Sequence, residues 1–199
     1  MTGLLLKDIY TMLKQTKYFL LLTIALGFLQ NDFMLTYVIC YASMLPLTAL
    51  GYDERAKWNK FADMLPYTTN ELVGCKYIMG YLSTAAATLI MILIKCFYVL
   101  TGKAVFSHEY WIVLLLTICA ASIIQAVNLP FMFWVGVERG RLLFIIFVVV
   151  FIVSATTALD NLNVFQIQAE LSLLISAVLA ITAIINLISF RLSKLAYKH

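Results

Sequence analysis

Residues 71–100 read ELVGCKYIMGYLSTAAATLIMILIKCFYVL, an apolar run interrupted by charge only at Glu71, Lys76 and Lys95. A helix rising about 1.5 Å per residue over this stretch exceeds the ~30 Å hydrocarbon layer of a bilayer. In lipid a helix satisfies its backbone N–H and C=O groups within the segment, so the run reads as a membrane span that projects a turn or two beyond the bilayer. Similar runs extend in both directions. They fall near Lys17 to Gln30, Phe33 to Tyr52, Tyr110 to Val135, Leu142 to Leu159 and Glu170 to Phe190, the first of them short. Composition agrees: 63% of the 199 residues are hydrophobic and 12% charged, with mean hydropathy +0.96, far from an ordinary soluble domain. The expected fold is an all-α membrane protein with six transmembrane helices, residues 1–199 forming one membrane domain. What remains between the spans is too short for a soluble catalytic domain.

Cys40, Cys75, Cys96 and Cys119 fall in or at the ends of apolar runs without the close pairing of metal sites, and read as small lipid-facing or packing residues. Tyr18 to Leu29 has the length of a signal-peptide core but no small-residue cleavage site follows, so it is expected to be retained.

Lysine and arginine bias loops to the cytoplasmic side. Lys7, Lys14, Lys17, Arg55, Lys57, Lys60, Lys76, Arg139, Arg141, Arg191, Lys194 and Lys198 belong to one set of segments, against Lys103 alone in the other. Both termini, the Asp53 loop and the Val137 loop are therefore expected in the cytoplasm. The opening residues add an amphipathic pattern. On a helical wheel Leu5, Leu6, Ile9, Tyr10, Met12 and Leu13 lie on one side and Lys7, Asp8, Thr11, Lys14 and Gln15 on the other. An interfacial helix with lysines toward lipid phosphates is expected; the competing reading is a plain extension of the first span.

The segment from Gly51 to Leu82 carries the most information. Glu54, Trp58, Phe61 and Leu65 recur at helical spacing, with Lys57, Lys60 and Asp63 on the other side. Pro66 ends this short helix, and Thr68 with Glu71 forms a capping box that starts the next. A helix with a mixed aromatic and charged face between two spans suits docking into a groove of another protein, or immersion of Trp58 and Phe61 among headgroups.

Three places carry a resemblance: GLLLKDIY at Gly3 to Tyr10, DERAKWNKFADMLPYTTNELVGCKY at Asp53 to Tyr77, and PFMFWVGVERGR at Pro130 to Arg141. With the six-span layout they make the chain resemble permease subunits of ABC transporters of the type 2 exporter class, especially Gram-positive phenol-soluble-modulin and bacitracin-type exporters. The resemblance implies a cytoplasmic coupling helix between the second and third spans, seated in a cleft of an ATPase subunit. Trp58, Phe61 and Leu65 would fill apolar pockets there, while Glu54, Arg55, Lys57 and Lys60 set register. Glu138, Arg139 and Arg141 would form a second cytoplasmic contact on a turn permitted by Gly136 and Gly140; ordinary positive-inside anchoring explains the two arginines equally well. No phosphate-binding loop of the G-x-x-x-x-G-K-[ST] type occurs, so ATP and magnesium would belong to the partner, with no cofactor on this chain.

Inside the spans, Lys95 is a pathway candidate by default, although its stem can snorkel to the outer interface. Gly80, Thr84 and Thr88, and Ser172, Ser176 and Ala180, form seams that suit packing within the bundle or between protomers. Asn128 with Pro130 suggests a kink whose freed backbone the Asn amide helps satisfy; the preferred reading is a packing bend without mechanism. Asp160 to Gln168 is expected to dip back as a re-entrant element on an outer face made acidic by Asp32, Glu109, Asp160 and Glu170. The expected function is a bacterial cell-membrane permease without catalytic or nucleic-acid-binding activity. Its partners would be an ATPase, a second protomer, lipid, and an amphiphilic or peptide-like cargo. The alternative is a stand-alone carrier or scaffold, though the intramembrane acids and broken helices of ion-coupled carriers are not evident.

Overall fold

The computed structural model describes residues 2–15, 17–18, 25–26, 28, 32–62, 64–102, 105, 107–142, 145–146 and 171–197. The main helices among these residues are α1 (Thr2–Gln15), α2 (Asp32–Ser43), α3 (Leu45–Arg55), α4 (Trp58–Ala62), α5 (Thr69–Leu100), α6 (His108–Val135) and α7 (Leu171–Tyr197), with no strand among them. Among the described residues, four stretches are long and apolar enough to cross a membrane: Met34–Arg55, Thr69–Leu100, His108–Val135 and Ile175–Tyr197. These correspond to four of the six expected spans. The expected spans at 17–30 and 142–159 lie outside the described residues apart from isolated positions, and the expected re-entrant element at 160–168 lies wholly outside them.

Local chemistry sets the helix ends. The Thr68 hydroxyl accepts from the Glu71 N–H at 3.3 Å, and the Glu71 carboxylate accepts from the Thr68 N–H at 2.9 Å, the capping box read from the sequence. Ser107 caps α6 by accepting from the Tyr110 N–H. α6 stops at Gly136, which takes φ +87°, and helical backbone resumes at 137–142. Gly140 lets that second segment fold tightly against α6, since a Cβ there would lie 2.8 Å from Met132 Sδ.

Both intramembrane prolines are accommodated by a neighbouring helix. Proline has no N–H, so the carbonyl four residues earlier loses its helical donor. For Pro46, at the start of α3, that carbonyl is Ala42, and Ser83 of α5 donates to it at 2.8 Å. For Pro130, inside α6, it is Ala126, and Ser189 of α7 donates to it at 2.5 Å. Each of these carbonyls is thereby tied to a particular partner helix, as the lack of water in lipid requires. The sequence reading offered Asn128 for this role. Asn128 instead donates to its own preceding turn, at Ile124 O, four residues back along α6, and not to Ala126 O.

Three apolar clusters hold the bundle. One joins α2, α5 and α6 around Val38, Ile39, Ala87, Leu114 and Ala121. A second joins α3, α5, α6 and the Val137 turn around Leu50, Val73, Leu129 and Met132, with Phe190 and Tyr197 of α7 against it. The third seats α1, through Met12, Leu5 and Ile9, on Leu45 and Ala49 of α3 and Met79 of α5. Between the clusters runs a polar seam. Tyr77 OH lies 2.9 Å from Ser193 Oγ and also contacts Ser189 Oγ; since Ser189 gives its proton to Ala126 O, Tyr77 is the donor in that pair. Gln125 donates to Tyr77 O at 3.0 Å with its amide directly over Gly80, where a Cβ would come within 2.3 Å of it. The seam at Gly80 therefore packs α5 against α6 inside the bundle. In the sixth-span seam, Ser176 and Ala180 are exposed.

Candidate functional site

Charged residues gather where α1, α3, α4, α5 and the Val137 turn meet. Asp8 of α1 and Asp53 of α3 are both buried, and Lys76 of α5 lies between them, its Nζ 2.7 Å from Asp8 Oδ2 and 2.6 Å from Asp53 Oδ2. Lys7 closes the ring from the other side, 2.5 Å from Asp53 Oδ1 and 3.3 Å from Asp8 Oδ1. Each carboxylate oxygen thus faces an ammonium group, and the quartet carries no formal net charge. The Lys76 side chain is only 8% exposed. Desolvating such a set is costly, and its gain is geometric definition: three helices distant in sequence are locked in one register.

This corrects the expected orientation of α1. Lys7 and Asp8 do not face lipid phosphates. Asp8 shares a stripe with buried Leu4 and Met12 and turns into the protein, because Lys76 and Lys7 neutralise it there. The face left open carries Leu6, Tyr10 and Leu13 with Lys14, a combination that suits the membrane interface.

The quartet also positions the loop between the second and third spans. The expected single helix from Glu54 to Leu65 is divided. α3 continues the membrane-crossing helix through Arg55, where the Ala56 N–H returns to Tyr52 O and the Lys57 N–H to Glu54 O. Lys57 then takes φ +54°, a left-handed conformation that a helix cannot continue through. α4, five residues long, follows in a new direction. Glu54 and Arg55 accordingly belong to the span, and Trp58 begins the short helix. The Trp58 ring lies under Lys7 Nζ at 4.1 Å from its centroid, so the residue expected to fill a partner's pocket is half-covered by α1 of its own chain. Phe61, Met64 and Leu65 stand exposed beside it, at 61%, 83% and 42%, with Lys60 also exposed. Met64 was absent from the sequence-based set, although it is the most exposed apolar side chain of the loop.

The two expected contact regions adjoin. Glu54 Oε2 accepts from the Val137 N–H at 2.8 Å, and a cleft of about 480 Å³ opens between them, lined by Thr48, Tyr52, Arg55, Val137, Glu138 and Arg141 among others. Arg139 is exposed and does not line it. Lys95 stands apart from this constellation, near the other end of α5, with its Nζ 5.0 Å from the centroid of the Tyr110 ring. A further cleft of about 530 Å³, almost wholly apolar, lies between α6 and α7 beside Pro130, Trp134, Ile188 and Leu192.

The quartet was missed because every member reads individually as an interfacial charge. A weak signal existed: Asp8 recurs four residues from both Leu4 and Met12, on a stripe that is otherwise apolar.

No curated protein and no solved structure matches the chain. A family model described as ABC-2 family transporter protein matches residues 3–198, a range that includes the charge quartet and the exposed loop face. The chain belongs to the ABC-2 family of transporter proteins, as a multi-pass membrane permease component of an ABC transporter.

Proposed function

We propose that the chain is the membrane subunit of an ATP-driven exporter in a bacterial cell membrane, forming one domain with both termini in the cytoplasm. The ATPase subunit supplies the ATP and magnesium chemistry, and this chain binds neither. The observation that carries the reading is the exposed row Phe61, Met64 and Leu65 on a loop whose base is fixed by the Lys7, Asp8, Asp53 and Lys76 quartet. An apolar patch on a rigid mount transmits force to the spans, whereas the same patch on a loose loop would merely absorb it. Arg55, Lys57 and Lys60 on one side, with Glu138, Arg139 and Arg141 on the other, supply the polar rim of this contact.

Closure of the ATPase subunits on ATP would press α4 toward the membrane, and the quartet would pass the displacement to α1, α3 and α5 together. The pathway runs between two protomers, identical or similar. The cargo is an amphiphilic or peptide-like molecule; the apolar cleft beside Pro130 and Trp134 favours a ligand with a substantial apolar part. Reconstitution with a candidate ABC ATPase subunit tests the reading. ATP hydrolysis by the complex in proteoliposomes is expected to rise severalfold on addition of cationic amphipathic peptides. An ATPase that neither associates with the chain nor responds to any such peptide would point to a stand-alone membrane protein.

A further inference from the structure

The Glu54 carboxylate is directed within its own chain. Its Oε2 takes the Val137 N–H at 2.8 Å. That amide belongs to the first turn of the helical segment at 137–142, where N–H groups have no partner within the helix and a negative charge is favourable. The other oxygen packs against Gly136: a Cβ built there would stand 2.8 Å from Glu54 Oε1. Gly136 also holds φ +87°, so both its backbone and its missing side chain are used. On the same turn of α3, Gly51 lies against the Val137 side chain, with Cγ1 3.4 Å from where a Cβ would be.

We propose that Glu54 is a positioning residue that clasps the end of α3 to the Gly136 turn, so that the loop bearing α4 and the turn that ends α6 move as one body. This deepens the proposed function, on which its mechanical consequence rests. α3 and α6 both carry a proline, and the carbonyl four residues before it is held by a serine of another helix, Ala42 by Ser83 and Ala126 by Ser189. A displacement delivered at α4 therefore reaches the Gly136 end of α6 through Glu54. Glu54 and Val137, the two ends of the clasp, both line the cleft that Arg55 and Arg141 also border.

The test combines hydrogen exchange on the full-length chain in nanodiscs with ATP hydrolysis by its complex with the ATPase. Glu54→Ala is expected to speed exchange of the Val137 amide about tenfold, the size expected for a charge-assisted hydrogen bond. The same variant should reduce peptide-stimulated hydrolysis severalfold while the ATPase remains bound. Glu54→Gln keeps an acceptor oxygen and is expected to restore most of both. Gly136→Ala, which leaves Glu54 in place but occupies its seat, is expected to reproduce Glu54→Ala. Unchanged Val137 exchange in Glu54→Ala would overturn the clasp. Faster exchange with wild-type stimulation, or a Glu54→Gln variant as impaired as Glu54→Ala, would overturn its positioning role. If no ATPase binds the wild-type chain, the proposed function fails and the mechanical role falls with it, while the exchange data still decide whether the clasp exists.

Discussion

Lys76 and Lys95 lie on the same helix, about 28 Å apart by helical rise, and their surroundings differ in kind. Lys76 is buried between two carboxylates supplied by α1 and α3. Lys95 is half-exposed and rests over the edge of the bundle, against the ring of Tyr110 at the start of α6. From sequence, Lys95 drew attention as the lysine deep in a span, and Lys76 passed as an interfacial anchor. The comparison teaches that depth along a span does not determine a lysine's role; what other elements bring to it does. Asp8 and Asp53 are 68 and 23 residues from Lys76 in the chain.

The largest effect should come from breaking that contrast at its strong side. Lys76→Met leaves two buried carboxylates with Lys7 alone, and a loss of about 3–5 kcal/mol is expected, seen as collapse of the thermal unfolding midpoint in detergent. Replacing all four members together by apolar residues of similar size, Lys7→Met, Asp8→Leu, Asp53→Leu and Lys76→Met, should cost far less than Lys76→Met alone, because no charge is left unpaired. A quadruple variant as unstable as the single one would show that the quartet acts by something other than charge balance.

A smaller effect is expected at the intramembrane prolines. Ser189→Ala leaves the Ala126 carbonyl buried without a donor, a cost of about 1–3 kcal/mol. Adding Pro130→Ala returns an N–H to that carbonyl, so the double variant should recover part of the loss. Strict additivity in unfolding measurements would detach Ser189 from Pro130. At the weak end of the comparison, Lys95→Met removes a cation over an aromatic ring and should change stability by no more than about 0.5–1 kcal/mol. Transport at the wild-type rate in that variant would place Lys95 outside the pathway.

Features governed by neighbouring residues were legible in the sequence. The Thr68 and Glu71 capping box and the four described spans follow from local backbone chemistry or from runs of apolar residues, whereas the short helix ends at Ala62, ahead of the stop expected at Pro66. Features that depend on distant residues were not. The quartet, the serines that meet Ala42 and Ala126, and the seating of Gln125 on Gly80 each pair side chains that look unremarkable in isolation. The break at Lys57 belongs to the same class: the wheel over Glu54 to Leu65 is regular, yet α3 is anchored through buried Asp53 while Trp58 is held by Lys7, and one straight helix does not serve both contacts.

The decisive measurement is retention of the ATPase subunit by the wild-type chain and by a Phe61→Ser, Leu65→Ser double variant through purification in mild detergent. Both side chains are exposed, so the substitutions should shift stability by no more than about 0.5 kcal/mol each, and circular dichroism melting confirms whether the variant is folded. The wild-type chain should hold its ATPase in stoichiometric amounts and the folded double variant should lose it. A folded double variant that retains the ATPase as firmly as the wild type would contradict docking at this face.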